Sequence, residues 1–300
     1  MKIAITGASG FVGQALSQFL LEEGHAVVGL GTSAHCPLET SNGFEWIRAD
    51  TTRAGEWQAA ITAADAVVNL AGRTIFKRWT REYKEQIIAS RVQTTHQVVA
   101  AMTGGGQTLL STSAVGYYGS RGDEVLDEQA KAGDDFLARL SVAWEQAALA
   151  AEKKGARAAI MRFGVVLGVG GGALAQMLPA FRFFAGGPLG KGRQWFSWIH
   201  MADLLTAVRF VIADDRARGV YNFCAPGEVR QRDFARALGK VLGRPARIPA
   251  PAAALRLMMG EVAGVLLASQ RVRPQRLLDE GFVFAFPQVE RALADLVKRS

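Results

Sequence analysis

The sequence predicts an α/β protein built on a doubly wound parallel sheet, followed by a smaller, mostly helical C-terminal part. Three observations predict it. Short apolar runs alternate with long helical patterns through the first half, a glycine-rich turn joins the first run to the first helix, and beyond Gly168 the alternation gives way to helix-like stretches. Parallel strands need crossover connections, and crossover helices cover both faces of such a sheet.

In chain order, residues 2–6 read as a strand, 10–23 as a helix closed by Gly24, and 26–30 as a second strand, which together make a βαβ unit. Strands are expected at 44–47, 66–70, 107–113 and 158–166, with helices over 80–102 and 134–154 between the last three. Gly170, Gly171 and Gly172 then precede a helix at 173–184 and a Gly/Pro-rich turn at 186–192. Helices at 201–213, 232–242, 251–267 and 289–297 and short strands at 198–200 and 220–223 complete the chain. A border near 168 separates a nucleotide-binding domain, 1–168, from a C-terminal part, 169–300, with later segments returning to the first domain.

Composition narrows the function classes. A hydrophobic content of 49% over 300 residues supports a sizeable core and excludes disordered, fibrous and linker-dominated chains. Cys36 and Cys224 form neither a disulfide framework nor a CxxC pair, and the four histidines, His25, His35, His96 and His200, have no metal-ligand spacing, so no metal is expected. Lys2 before an apolar run resembles a short signal peptide, but glycines at 7, 10 and 13 interrupt it. The late apolar stretch at 250–268 carries Arg256 and Glu261. No membrane contact and a cytoplasmic location are therefore expected. The formal charge of +8 favours an anionic ligand. The clusters Arg73, Lys77, Arg78, Arg81, Lys84 and Arg230, Arg232, Arg236 lack interleaved stacking aromatics, so a small molecule is expected as partner and nucleic acid is not. Oligomeric state is left open.

The turn Gly7-Ala8-Ser9-Gly10-Phe11-Val12-Gly13 has the context a glycine motif needs, an apolar strand before it and a helix after it. Gly7 permits the tight turn, Gly10 lets the backbone approach a pyrophosphate, and Gly13 lets helix and strand pack closely. The helix start offers unpaired N–H groups and a partial positive charge to an anion. The spacing is GxxGxxG, and the bland alternative is a turn with no ligand.

With this turn, TGASGFVG at residues 6–13 resembles the extended short-chain dehydrogenase/reductase superfamily, whose nucleotide-binding domain is of the Rossmann type. VVNLAG at 67–72, STSAVGYYG at 111–119 and WIHMAD at 198–203 agree with it. GYYG, Lys77-Arg78-Trp79, Trp144-Glu145, GGPLG at 186–190 and the ending through Gly281-Phe282 are similar to an atypical subgroup, the NAD-dependent epimerase/dehydratase-like epimerase family, which has its own C-terminal domain, here about 247–296. The resemblance spans essentially the whole chain and implies a pyridine-nucleotide cofactor.

A carboxylate ending the second strand would select NAD. Here the sequence is Gly29-Leu30-Gly31-Thr32-Ser33, so NADP is favoured with NAD still possible; the Thr32 and Ser33 hydroxyls are candidate donors and Arg48 a candidate helper. Asp50 resembles the residue that meets adenine in the superfamily, or else caps a helix with Thr51 or Thr52. Leu70, Ala71 and Gly72 at the fourth strand's end, Ser111 on the fifth, and Arg91 complete the candidate cofactor set with Gly7, Ser9, Gly10, Phe11, Val12 and Gly13. Arg91 stands where many relatives carry Asn, and reads either as a fixed charge at the site or as a helix-surface charge.

Hydride-transfer members of the superfamily use a Tyr-x-x-x-Lys pair on the helix after the fifth strand, because four-residue spacing puts both groups on one face. Counting back from Glu145 places Leu137 and Ser141 at those positions, so the pair is absent. Ser113, the counterpart of the substrate-polarising hydroxyl, and Tyr117 remain as candidate catalytic groups. Lys77, Arg78, Trp79, Tyr118, Arg162 and His200 are candidate substrate residues; loop packing is the alternative for both tyrosines, and a structural hydrogen bond for His200. An NADP-dependent oxidoreductase or nucleotide-sugar-epimerase-like enzyme leads the readings. A non-catalytic dinucleotide-binding sensor or structural protein comes second, and a nucleic-acid binder third.

Overall fold

Alternation along each strand decides which helices it faces. Ile3 and Ile5 point to one side of the sheet and Ala4 to the other; Ala66 and Val68 likewise oppose Val67. In the computed structural model, which describes residues 1–38 and 41–299, seven strands form one parallel sheet. They are β1 (Lys2–Thr6), β2 (Ala26–Gly31), β3 (Phe44–Arg48), β4 (Ala66–Asn69), β5 (Thr108–Ala114), β6 (Arg157–Phe163) and β7 (Gly219–Phe223), in the spatial order β7-β6-β5-β4-β1-β2-β3. The chain runs outward from β1 through β3, then crosses back to lay β4 on the other side of β1. That reversal is the switch point where doubly wound sheets bind ligands at their carboxyl ends. The register sets Thr6 beside both Leu30 and Asn69, and Asn69 beside Ser111, so these strand ends lie level.

One face is covered by the first helix, Phe11–Glu22, and by Met201–Ala213, with Leu16, Leu20, Leu204 and Val208 buried against Ile5, Val68 and Met161. The other face holds Ile61, Val98, Ala148 and Ala151 against Val67, Leu109 and Ile160. A third cluster joins the helices Gly172–Arg182, Gln231–Leu242 and Val289–Lys298 through Leu178, Phe234, Leu238 and Leu293. Cys36 and Cys224 are both buried.

Several elements differ from the sequence expectation. The strand expected over 158–166 divides at Gly164, which packs against the Ser197 backbone. Residues Val165–Leu167 leave the sheet to pair with Trp198–His200. The helix expected over 80–102 contains a π-helical segment, Ala89–Gln93, and that expected over 251–267 breaks at Gly260, where φ is 61°. A short helix at Gln58–Thr62 and the two-residue strands Val125–Leu126 and Arg271–Val272, which pair with each other, are too brief to leave a periodicity in the sequence. Among the described residues no helix is long and apolar enough to cross a membrane.

Leu293 is fully buried between the C-terminal helix and Gln231–Leu242. Leu293→Ala should destabilise the protein by about 2–5 kcal/mol. Urea unfolding followed by tryptophan fluorescence should show one earlier transition; a separate early transition of the C-terminal part alone would contradict a shared core.

Candidate functional site at the carboxyl ends of the strands

Gly7 follows β1 with φ at 72°, a left-handed conformation costly for other residues, and its N–H donates to the Leu30 carbonyl at 2.8 Å. A Cβ on Gly7 would lie 3.0 Å from the Leu70 carbonyl group, and one on Gly13 would run into the Gly7 carbonyl oxygen. The first helix starts immediately afterwards, with Gly10 extended at its N-cap, no side-chain cap and no acidic residue in its first turn. Its N–H groups are thus left for an external acceptor, and no carboxylate opposes an anion there. A turn with glycine at its closest approaches, beside unpaired amides, fits a diphosphate. The Phe11 ring is wrapped by Gly168, Gly171 and Gly172, each too close to it to carry a Cβ, which accounts for the glycine run; Val12 packs against the core. Ser9 Oγ lies 3.1 Å from Ser33 Oγ, so the turn and the end of β2 meet, with Thr32 and Ser33 both exposed.

Asp50 follows β3 and accepts from the Thr52 hydroxyl at 2.7 Å and the Thr52 amide at 3.1 Å. Those bonds, chiefly the hydroxyl's, with nearby Arg53 and Arg73, hold its carboxyl below the usual range. Asp50 therefore closes its own turn.

The end of β4 is fixed from beneath. Asn69, fully buried, accepts from Thr6 Oγ1 at 2.6 Å and donates to Thr95 Oγ1 at 2.8 Å and Ser111 Oγ at 3.1 Å. Thr6 Oγ1 also accepts from the Ala71 amide, which aims the Leu70-Ala71-Gly72 backbone into the crevice. Ser111 is 0% exposed, so its hydroxyl supports this network from inside. Within the π-helical segment, Ser90 Oγ accepts from the Arg73 amide at 3.1 Å while Arg91 donates to the Arg73 carbonyl at 3.0 Å. The Arg91 guanidinium packs against Gly72 and over the Trp144 ring. It pairs with no carboxylate among the described residues, and burial brings it down to about 10, still charged at neutral pH.

Toward β5 and β6 a second network forms beside the helix positions Leu137 and Ser141. Ser113 Oγ donates to Glu145 Oε1 at 2.6 Å, and Arg162 grips both Glu145 oxygens at 2.8 Å. All three are buried. Arg162 also donates to the Tyr118 hydroxyl at 2.9 Å, which lies 2.7 Å from Asn222 Oδ1. Burial pushes the Tyr118 phenol well up; it also pulls the Arg162 guanidinium down, an effect more than reversed by the bonds to Glu145 and Tyr118. Tyr118 is thereby committed to structure. The Tyr117 ring instead lies over the Arg162 guanidinium at 3.4 Å, and its hydroxyl has no partner among the described residues. Leu137 faces Gly116, and Ser141 is buried in the same helix. In the sequence Glu145 reads only as an alignment mark; the signal for its role is a lone carboxylate on an otherwise uncharged helix face.

Lys77 and Arg78 are exposed and form no ion pair among the described residues. Trp79 is anchored, donating to the Ile75 carbonyl at 2.8 Å and meeting Phe136 edge-on at 5.0 Å, while Lys84 beside both rings pairs with Glu261 at 2.6 Å. His200 lies elsewhere. It is 3% exposed, caps the helix Met201–Ala213 by accepting from the Ala202 amide, stacks on Phe286, and points Nε2 at Asp295, 3.3 Å away. Its ring thus joins the sheet domain to the C-terminal helix. A groove of about 690 Å³ lined by Asp203, Arg209, Phe210 and Phe282 shares no residue with the strand-end crevice. No cluster of metal-ligating side chains occurs among the described residues.

The NAD dependent epimerase/dehydratase family model matches residues 3–224, and a domain of unknown function, DUF1731, matches 250–296. The chain belongs to that epimerase/dehydratase family. It is 40% identical over 303 residues to the chloroplastic epimerase family protein SDR39U1 homolog of Arabidopsis thaliana, covering 99% of this chain and 87% of that protein. It is 36% identical over 306 residues to epimerase family protein SDR39U1 of Mus musculus, covering 99% and 100%. The crystal structure of human epimerase family protein SDR39U1 (isoform 2) with NADPH superimposes with a TM-score of 0.86 at 32% identity, covering both chains completely.

Burial lowers the His200 imidazole below its ordinary value of 6.5. Because the folded value is the lower one, the unfolded chain takes up the proton first. The stability tied to neutral His200 is full above about pH 6.5 and is lost as pH falls through the folded value. His200→Asn keeps an N-cap acceptor and removes the titration, so its urea midpoint should fall less than that of the unmodified chain between pH 7 and 5; parallel declines would refute the assignment.

Proposed function

We propose that the chain is an NADP(H)-dependent oxidoreductase, epimerase-like in architecture, that acts on a small anionic substrate bearing a hydroxyl or carbonyl group. The observation that carries this reading is the glycine-rich turn and uncapped helix start at the switch point, together with a tyrosine hydroxyl, that of Tyr117, with no partner among the described residues. The NADPH in the human relative's structure and the absence of a carboxylate after β2 support the phosphorylated cofactor. When bound, the nicotinamide supplies or takes up the hydride.

This chain's own residues do the rest. Gly7, Gly10, Gly13 and the amides of Phe11 and Val12 hold the diphosphate, with Leu70, Ala71 and Gly72 forming the opposite wall. Arg91 holds that wall in place through Arg73. Ser113 has its proton committed to Glu145, so it presents lone pairs and accepts a hydrogen bond from a substrate hydroxyl; a carbonyl substrate requires the proton to turn outward. Arg162 fixes the Tyr117 ring from one face, and Tyr117 exchanges the substrate proton. Lys77 and Arg78, free of ion pairs, attract the anionic group.

Leu137 and Ser141 at the usual Tyr and Lys positions favour one competing reading, dinucleotide binding without turnover. Calorimetry followed by hydride exchange against a panel of carbonyl and alcohol substrates separates the two. Tyr117→Phe should leave NADPH affinity within about twofold and lower turnover about 100-fold or more; tight binding with no exchange on any substrate would establish the non-catalytic reading. Ser9→Asp should weaken NADH by about tenfold through repulsion of the diphosphate and NADPH by at least as much, and unchanged affinity for both would remove the cradle itself.

A further inference from the structure

Nothing at the end of β2 carries the positive charge that a 2′-phosphate requires, since Gly31, Thr32 and Ser33 are small or neutral. The neighbouring strand carries an arginine level with this point. In β3, Phe44 pairs in register with Val27, yet its ring lies 2.7 Å from where a Cβ on Gly29 would stand. Trp46 pairs with Gly29, and its ring reaches to 2.8 Å from a Cβ position on Gly31. Each of these side chains leans two residues forward along β2. Arg48 is next on the same face, since side chains alternate along a strand, and it pairs with Gly31. A lean of the same size would bring its guanidinium toward Ser33.

That face also bears the phosphate-binding turn. Ser9 Oγ lies 3.3 Å from the Gly31 Cβ position that Trp46 approaches, and 3.1 Å from Ser33 Oγ. Arg48 is exposed and has neither an ion pair nor a side-chain hydrogen bond among the described residues. The ladder continues past it, with the Ala49 amide donating to the Gly31 carbonyl at 2.7 Å, so its backbone is held where β2 ends. An exposed arginine with no ion pair among the described residues thus sits one strand over from the point where the Ser9 and Ser33 hydroxyls meet.

We propose that Arg48, reaching across from β3, is the counter-charge for the cofactor's 2′-phosphate, with Ser33 and Ser9 as hydroxyl donors, and that it determines the choice of NADP over NAD. The proposal rests on the cofactor reading above. A phosphomonoester dianion suits a planar guanidinium, which binds two of its oxygens at once, while the unphosphorylated ribose offers that group nothing comparable.

Calorimetric titration of the full chain with NADPH, NADH and adenosine 2′,5′-bisphosphate tests it. The unmodified protein should prefer NADPH. Arg48→Gln should weaken NADPH and the bisphosphate by roughly 10-fold to 100-fold and leave NADH within about twofold; Arg48→Lys should recover part of the loss. Equal loss for NADPH and NADH, no loss for either, or a loss produced by Arg73→Gln in place of Arg48→Gln would overturn the assignment to Arg48 while leaving the cofactor reading intact. An unmodified protein that binds none of the three ligands overturns both.

Discussion

The architecture depends on one close approach. At the switch point between β1 and β4, three stretches of backbone, the Gly7 turn, the start of the first helix and the Leu70–Gly72 wall, come together with no room for side chains. Packing at this density lets amides face outward without burying them unsatisfied, because a ligand or water can reach them. The constraint propagates outward. Phe11 must be covered, so the chain after Val165–Leu167 needs its glycine run; β4 must end level with β1, so Asn69 is tied to Thr6, Thr95 and Ser111.

The ion pair between Glu145 and Arg162 plays the corresponding part on the other side of the crevice. Two buried charges cost several kcal/mol each to desolvate, and only full hydrogen bonding offsets this. Here both carboxylate oxygens take guanidinium donors, Ser113 adds a third bond, and Tyr118 occupies the far end of the arginine. The network orders β5, β6 and the helix Phe136–Leu149 about one point. The cation of this network thus stands on the sheet, at Arg162, and the phenol without a partner, Tyr117, stands in the turn after β5.

Most of the scaffold was legible in the sequence, because apolar periodicity and glycine spacing are local properties. The seven sheet strands, the first helix and the turn each leave a pattern within a dozen residues. The site was legible only in part. Ser113, Tyr117, Tyr118 and Arg162 were singled out, but their division into committed and free groups depends on Glu145 and Asn222, which lie far from them in sequence. His200 stands in a motif-like block, and only tertiary packing reveals that both ring nitrogens face structural partners. Breaks at Gly164 and at Ala89–Gln93 were invisible for the same reason: the local pattern permits a continuous element, and distant contacts interrupt it.

The π-helical segment has a consequence of its own. The wider turn leaves Ile87 before it and Thr94, Thr95 and Val98 after it buried, while Ser90 and Arg91 within it reach the Arg73 backbone. Removing a single residue there would restore a regular helix and swing every side chain beyond it by about 100°. A chain one residue shorter here would have to rebuild either the core or the crevice wall, so the length of the stretch couples the two.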